Sequence, residues 1–201
     1  MIEIENTQVY NLTRAIYSVR NAMNSWDRSD SDLENDIPGE NDLFLAKRLV
    51  NAGTEHRKFM RQIMVTMDIT APLYLWKELD TYKVGTTANS CSTMHKLTAR
   101  ELKVSDFSMD GMSGEGSLAM IQTVDTLNRI LMACKSTKNP AYWLVLRLLL
   151  PESYNQKRTW TANYEVLMRI YEQRKGHKLT EWGRFRRVIE SLPYMDTFLK
   201  P

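Results

Sequence analysis

The chain has 201 residues, of which 43% are hydrophobic and 25% charged, with a formal net charge of +3. That size suits a single domain, residues 1–201, whose core is large enough to fold without disulfides. The charge is too small to argue for nucleic-acid binding, and no apolar run approaches the roughly 18 residues that cross a bilayer.

In chain order, residues 2–10 alternate apolar and polar and predict a strand, with no basic-then-apolar leader. Residues 12–23 predict a helix. Residues 24–41, rich in Ser, Asp, Pro and Gly, predict a loop. The stretch 27–42 is acidic, with Asp27, Asp30, Asp32, Glu34, Asp36, Glu40 and Asp42 against Arg28 alone. Residues 43–52 predict a helix closed by Gly53. A strand is predicted over 59–69, with Phe59, Ile63, Val65, Met67 and Ile69 on one face and Arg61 as the exception. Pro72 ends it, and 73–79 form a short helix that buries Trp76 and Leu79. Residues 85–92 read as a loop, and 106–116 as a flexible loop with three glycines. Residues 118–135 form a long amphipathic helix through Met120, Val124, Leu127, Leu131 and Cys134. A helix over 141–150 stops at Pro151, and two more run over 161–174 and 179–192. Long helices around a small, mostly antiparallel sheet make an α+β fold. Cys91 and Cys134 set no disulfide framework and are expected as free thiols of a cytoplasmic protein.

Basic residues gather in the C-terminal third: Lys157, Arg158, Arg169, Arg174, Lys175, Arg184, Arg186 and Arg187. They offer counter-charge to a small anion, or a solvated face. The segment 81–95 packs many hydroxyl and amide groups into a short stretch. It is a hydrophilic connection or a cradle for a sugar, base edge or phosphate, and Cys91 within it argues for a shielded position. Asn163, Leu167, Ile170 and Arg174 share one helix face. The polar ends of that face need partners, either another segment or a bound anion that Arg grips with its planar fork. Arg147 interrupts an apolar helix, so it either snorkels to solvent or meets an opposite charge such as a phosphate. His56, His95 and His177 lack metal spacing, and no nucleophile elbow or Gly-rich phosphate loop is present.

At these residues the sequence resembles the flavin-dependent thymidylate synthases, the ThyX family, over roughly 43–182. Arg147-Leu148-Leu149-Leu150-Pro151 looks like the family's R-x-x-L-P. Asn163 opens and Arg174 closes a stretch similar to N-x-R-x-L-x-[HN]-F-L-x-L-R. His177 and Glu181 resemble H-A-Q-x-E, and Gly53-Thr54-Glu55-His56-Arg57-Lys58-Phe59 looks like a compressed G-H-x-S-x-x-E-H-x-x-F. The family's hallmark, R-H-R-x-x-S-x-N-E-x-S-x-R-Y, is matched here in altered form. Asn89 and Ser92 agree, Lys83 keeps a positive charge and Thr86 a hydroxyl, and Glu78 stands at the preceding Gln position. Thr81 and Tyr82 replace the first Arg and the His, Ser90 the Glu, Met94 the second Arg and His95 the Tyr. Glu165 and Arg169 replace an Arg and a His or Asn of the later motif.

The resemblance implies FAD as cofactor, with a folate one-carbon donor and NADPH as co-substrates, for reductive methylation of dUMP at carbon 5 of the uracil. It implies Arg147, Arg174, Asn89, Ser92 and Glu78 as nucleotide ligands. It implies His56, Lys83, Thr86, Asn163, Arg169 and His177 on the cofactor side. No metal and no protein nucleophile is implied, and the protein supplies binding, orientation and electrostatics. A homotetramer is implied, with neither nucleic acid nor membrane as partner. Two other functions stay open: an altered reaction on a pyrimidine nucleotide that recruits Cys91 or His95, and nucleotide binding without catalysis.

Overall fold

The computed structural model describes residues 2–200. Four strands, β1 (Glu3–Tyr10), β2 (Met64–Pro72), β3 (Thr86–Ser90) and β4 (Asn155–Asn163), form one antiparallel sheet in the order β1-β2-β4-β3. Side chains mark the register. Thr66 bonds Thr161 at 2.9 Å and Thr159 donates to Asp68 at 2.6 Å, successive pairs of an antiparallel ladder. Helices supply the rest of the structure, so the class is α+β. No helix among the described residues is long and apolar enough to cross a membrane.

The chain divides into two compact units. Unit 1 is built on Ile69–Thr81 and Asn89–Arg158, with the start of β1. Unit 2 is built on Ile4–Asp68, Tyr82–Ala88 and the C-terminal stretch from Thr159.

Unit 2 holds α1 (Leu12–Tyr17), α2 (Glu40–Asn51), α7 (Tyr164–Gln173), α8 (Thr180–Glu190) and α9 (Met195–Leu199). Its core joins Val65 and Met67 of β2 to Leu167 and Ile170 of α7 and to Trp182, Phe185 and Ile189 of α8, all essentially inaccessible. Burial of each such side chain stabilises by about 1.5–3 kcal/mol. The acidic 27–42 stretch is organised by one residue. Asp42, fully buried in the first turn of α2, accepts from Arg20 Nε at 2.6 Å, Ser29 at 2.5 Å and Ser31 at 2.7 Å. Asp30 takes the amides of Asn41 and Asp42, which hold its carboxyl below the usual carboxylate range.

Unit 1 holds α3 (Leu73–Leu79), α4 (Thr93–Lys96), α5 (Glu115–Thr137) and α6 (Pro140–Leu148). Met120, Val124, Leu127 and Leu131 of α5 pack with Leu97, Leu102, Phe107 and Leu146 into one core. Trp76 and Leu79 of α3 are buried as the sequence predicts.

Several elements differ from the sequence reading. The helix predicted over 12–23 ends at Tyr17 and tightens into a 3₁₀ turn, Ser18–Met23, because the Ser18 hydroxyl takes the Ala15 carbonyl at 2.6 Å. The strand predicted from Phe59 starts at Met64. Phe59 and Met60 are both buried, which adjacent strand residues on a one-sided sheet cannot be, and they lie in a 3₁₀ turn, Lys58–Arg61. Residues 86–90 are an edge strand rather than a loop; their polar side chains hide the alternation that signals a strand. The helix predicted from Thr161 begins at Tyr164, since 161–163 complete β4 and Asn163 caps the helix through Val166 N–H at 3.0 Å. The 106–116 loop is anchored by buried Phe107 and Ser108. Helix α9 carries no sequence signal strong enough to predict it.

Asp42→Ala leaves Arg20 buried beside a vanished carboxylate, so urea unfolding should show a loss of about 3–5 kcal/mol. A loss under 1 kcal/mol would show that the network does not hold the 27–42 stretch.

Candidate functional site

In unit 2 a cleft of about 380 Å³ opens at the start of α7, lined by Thr54, Arg57, Arg61, Val84, Gly85, Asn163, Glu165, Val166 and Arg169. Three segments build it. The 3₁₀ turn after Arg57 carries Arg61, the cap and first turns of α7 carry Asn163, Glu165 and Arg169, and the 83–85 turn closes one wall. Gly85 has φ +78°, and a Cβ there would meet Asn163 Nδ2 at 2.6 Å, so only glycine lets this turn approach the cap.

Charge dominates the lining: three guanidiniums face one carboxylate. Arg61 Nε donates to Glu165 Oε2, and Glu165 Oε1 also takes Arg61 Nη2 at 3.4 Å. That hydrogen bond holds the Arg61 guanidinium above its ordinary proton affinity. Arg57 is mostly buried, and its Nε lies 3.6 Å from Glu165 Oε1, beyond hydrogen-bond reach; Nε has no hydrogen-bond partner. Its Nη1 donates to the Met168 sulfur at 3.6 Å, a weak acceptor.

Tyr82 is buried beside this cleft, in the same unit. Its ring packs edge-on against Trp182 at 6.4 Å between centroids. Arg174 lies over both rings, 5.4 Å from Tyr82 and 4.5 Å from Trp182, and its Nε donates to the Tyr82 hydroxyl at 3.0 Å. The hydroxyl donates onward to Gln173 Oε1 at 3.1 Å. Arg169 lies 5.7 Å from the centroid of the same Tyr82 ring. Cation–π contacts of this kind contribute about 0.5–2 kcal/mol each. Arg174 and Arg169 therefore share one aromatic partner.

The sequence-predicted cofactor residues distribute unevenly within unit 2. Asn163 and Arg169 line the cleft, and Lys83 and Thr86 flank its Val84–Gly85 wall, Lys83 exposed and Thr86 donating to the Tyr82 carbonyl. His177 packs against Trp182 at 6.1 Å, and its Nδ1 accepts Leu179 N–H at 3.2 Å. His56 lines a separate hollow with Val19, Leu49 and Phe59. The asparagine side-chain oxygen of the cleft is engaged in capping, so Asn163 offers a ligand its amide nitrogen rather than its oxygen.

In unit 1, Arg147 stacks over Trp143 at 5.4 Å, and the Trp143 indole donates to the Met94 carbonyl at 3.3 Å. Trp143 thus ties the helix of Arg147 to α4, whose cap is Ser92; the Ser92 hydroxyl accepts His95 N–H at 3.2 Å. Asn89 is exposed on β3, and Glu78 is half-buried on α3. Cys91 is exposed, contrary to the shielded position its context suggests, and is held by backbone bonds to Lys157 and to the Gln156 side chain. A hollow of about 460 Å³ in this unit is lined by Glu3, Asp106 and Asp110 among others, a lining that repels an anion. Among the described residues no group of His, Cys, Asp and Glu is placed to hold a metal.

Arg57 and Arg61 are the site residues that the sequence reading passed over. Arg61 gave a signal, as the one charge on an apolar face, and Arg57 gave none beyond its place in the compressed Glu55-His56-Arg57 stretch.

No protein-family model matches the chain, and no curated protein matches it. Solved structures do. A crystal structure of the flavin-dependent thymidylate synthase ThyX from Helicobacter pylori, complexed with FAD and dUMP, superposes with a TM-score of 0.74 at 17% identity. The match covers 98% of this chain and 97% of that one. A second Helicobacter pylori ThyX structure with FAD and dUMP matches with the same TM-score at 15% identity, over 99% and 97% of the two chains. The likeness is one of fold, end to end.

Gly85→Ala should cost about 1–2 kcal/mol from the left-handed backbone alone and should displace Asn163 from its cap. Thermal unfolding compared with Gly111→Ala, where φ is +79° and a Cβ meets nothing within 4 Å, isolates the contact term. Equal losses in the two variants would show that the Asn163 approach contributes nothing.

Proposed function

We propose that this chain is a nucleotide-binding protein of the flavin-dependent thymidylate synthase type, which takes dUMP as substrate and FAD as cofactor for reductive methylation at carbon 5 of the uracil. The observation that carries the reading is the guanidinium-rich cleft at the start of α7, in a chain whose fold follows structures that hold FAD and dUMP. The Nε of the mostly buried Arg57, which makes no hydrogen bond and only a 3.6 Å ion pair with Glu165, fits an anionic group such as the diphosphate of a flavin dinucleotide. Arg57, Arg61 and Arg169 would hold that anionic part, with Asn163, Lys83 and Thr86 around it. When bound, the flavin supplies a reducing hydride. The chain's own residues bind, orient and neutralise charge, and no side chain is asked to act as a nucleophile.

On the nucleotide side, Arg147 is the proposed phosphate ligand in unit 1, with Ser92, Asn89 and Glu78 as further proposed nucleotide ligands. Arg174 is the corresponding proposal in unit 2, and to reach a phosphate it would exchange the Tyr82 hydroxyl for a ligand oxygen. A folate as one-carbon donor and NADPH as reductant complete the reading. Self-association into a tetramer agrees with the surface of the α5–α6 pair, where Leu118, Met132, Leu144, Leu148 and Leu149 are each at least half exposed.

One observation favours a second reading, nucleotide binding without flavin chemistry. The resemblance puts Tyr82 at the position of a flavin-contacting His, and Tyr82 is buried with its ring against Trp182.

The absorbance spectrum of freshly purified protein separates the readings. Visible bands of oxidised flavin, retained or restored on adding FAD, are expected for the first; colourless protein that dUMP still stabilises supports the second. In thermal unfolding, dUMP at 100 times its dissociation constant should add about 2.7 kcal/mol, and Arg147→Ala should remove most of that gain. The same gain in variant and wild type would rule out Arg147 as the phosphate ligand.

A further inference from the structure

Arg174 follows the last turn of α7, and its Nε is already committed inside unit 2. That nitrogen donates to the Tyr82 hydroxyl at 3.0 Å, and the guanidinium lies 5.4 Å from the Tyr82 ring centroid and 4.5 Å from that of Trp182. Arg174 is only partly buried, so a solute can reach it.

Tyr82 is the fixed half of this pair. It is 6% exposed, with its ring edge-on to Trp182. Its backbone is held too: the Thr86 hydroxyl donates to the Tyr82 carbonyl, and Gly85 packs so close to Asn163 that no Cβ fits between them. The Arg174 bond is the exchangeable contact. The Tyr82 hydroxyl also donates to Gln173 Oε1 at 3.1 Å, so it keeps a partner when Arg174 turns away. The usual cost of breaking such a bond, a buried hydroxyl left unpaired, is thereby avoided. Ring faces impose no hydrogen-bond geometry, and the guanidinium can pivot while it stays over them.

A phenol oxygen is a neutral acceptor. An ionised oxyanion makes a bond to a guanidinium roughly twice as strong, and it accepts two parallel N–H donors from the planar fork. An anion can therefore displace the hydroxyl, but it binds against it. We propose that the Tyr82 hydroxyl is a resident competitor at Arg174, an internal contact that occupies Nε in the free protein and weakens anion binding there. The proposal rests on the functional reading above for the identity of the anion, dUMP, and adds a control on its affinity. Tyr82 acts through Arg174 and is a positioning residue.

The test is isothermal titration of the full chain with dUMP and, separately, with inorganic phosphate. Wild type, Tyr82→Phe, Arg174→Met and the double variant are compared. Phe keeps the ring against Trp182 and removes only the hydroxyl; Met keeps an unbranched chain against the rings and removes the donors. Tyr82→Phe should bind dUMP about tenfold more tightly than wild type, and the double variant should bind no better than Arg174→Met. A merely structural hydroxyl predicts the opposite sign, because its loss would loosen the site. Should Tyr82→Phe not fold, the Arg174 Nε–H resonance of wild type, assigned by its loss in Arg174→Met, should move on saturation with dUMP; an unmoved resonance overturns the competition. Binding of dUMP that is equal or weaker in Tyr82→Phe, or a gain that persists without Arg174, overturns the competition and leaves the nucleotide reading in place. No binding of dUMP, with inorganic phosphate bound more tightly by Tyr82→Phe than by wild type and only where Arg174 is present, keeps the competition and removes dUMP as the ligand. No binding of either probe by any of these proteins overturns both.

Discussion

The ion cluster of Arg57, Arg61 and Glu165 is the constraint around which the candidate site is organised. Glu165 sits in the first turn of α7, where a carboxylate is favoured by the helix dipole. From there it pins Arg61 and stands just short of Arg57. The backbone serves the same end. Asn163 caps the helix, Tyr164 N–H bonds the Ile63 carbonyl at 3.0 Å, and Gly85 alone allows the neighbouring turn to close on the cap. The result is a cleft whose lining sets three guanidiniums against one carboxylate.

The aromatic stack explains how the altered motif can be accommodated. A Tyr at position 82 introduces a ring and a hydroxyl into the interior. The ring is met by Trp182, Arg169 and Arg174, and the hydroxyl by Arg174 and Gln173. The buried hydroxyl thereby both accepts and donates a hydrogen bond. Arg174 is then more than a surface cation waiting for an anion, since it is also part of the packing of unit 2. Any nucleotide that engages it must compete with these contacts, and this links the identity of residue 82 to affinity at Arg174.

What could be read from the sequence was what local periodicity encodes. The α3 helix, the long α5 with Met120, Val124, Leu127 and Leu131 buried, and the α+β class follow from spacing of apolar residues. Residues 86–90 could not be read, because a polar edge strand has no alternation to show. The junction at 161–163 misled for a related reason: β4 passes directly into α7, and the helical spacing of Asn163, Leu167 and Ile170 runs across the boundary. For the site, Asn163 was marked by helix-face spacing and Arg169 by the basic C-terminal cluster, both before the family resemblance gave them a role, whereas Arg57 and Arg61 depend on a fact no spacing contains. Their meaning comes from burial and from a carboxylate 104 positions away from Arg61 in the chain. The exposed side of α6 is legible in retrospect, since a helix as apolar as Tyr142-Trp143-Leu144-Val145-Leu146 that buries only Leu146 leaves an apolar face outward.

The most direct measurement is a crystal structure of the full chain grown with FAD and dUMP. The account predicts electron density for a phosphate group inside the cleft at the start of α7, with an oxygen within hydrogen-bond distance of Arg57 Nε. An ordered ligand bound elsewhere, with Arg57 still turned toward Met168 and the cleft holding only solvent, would contradict it.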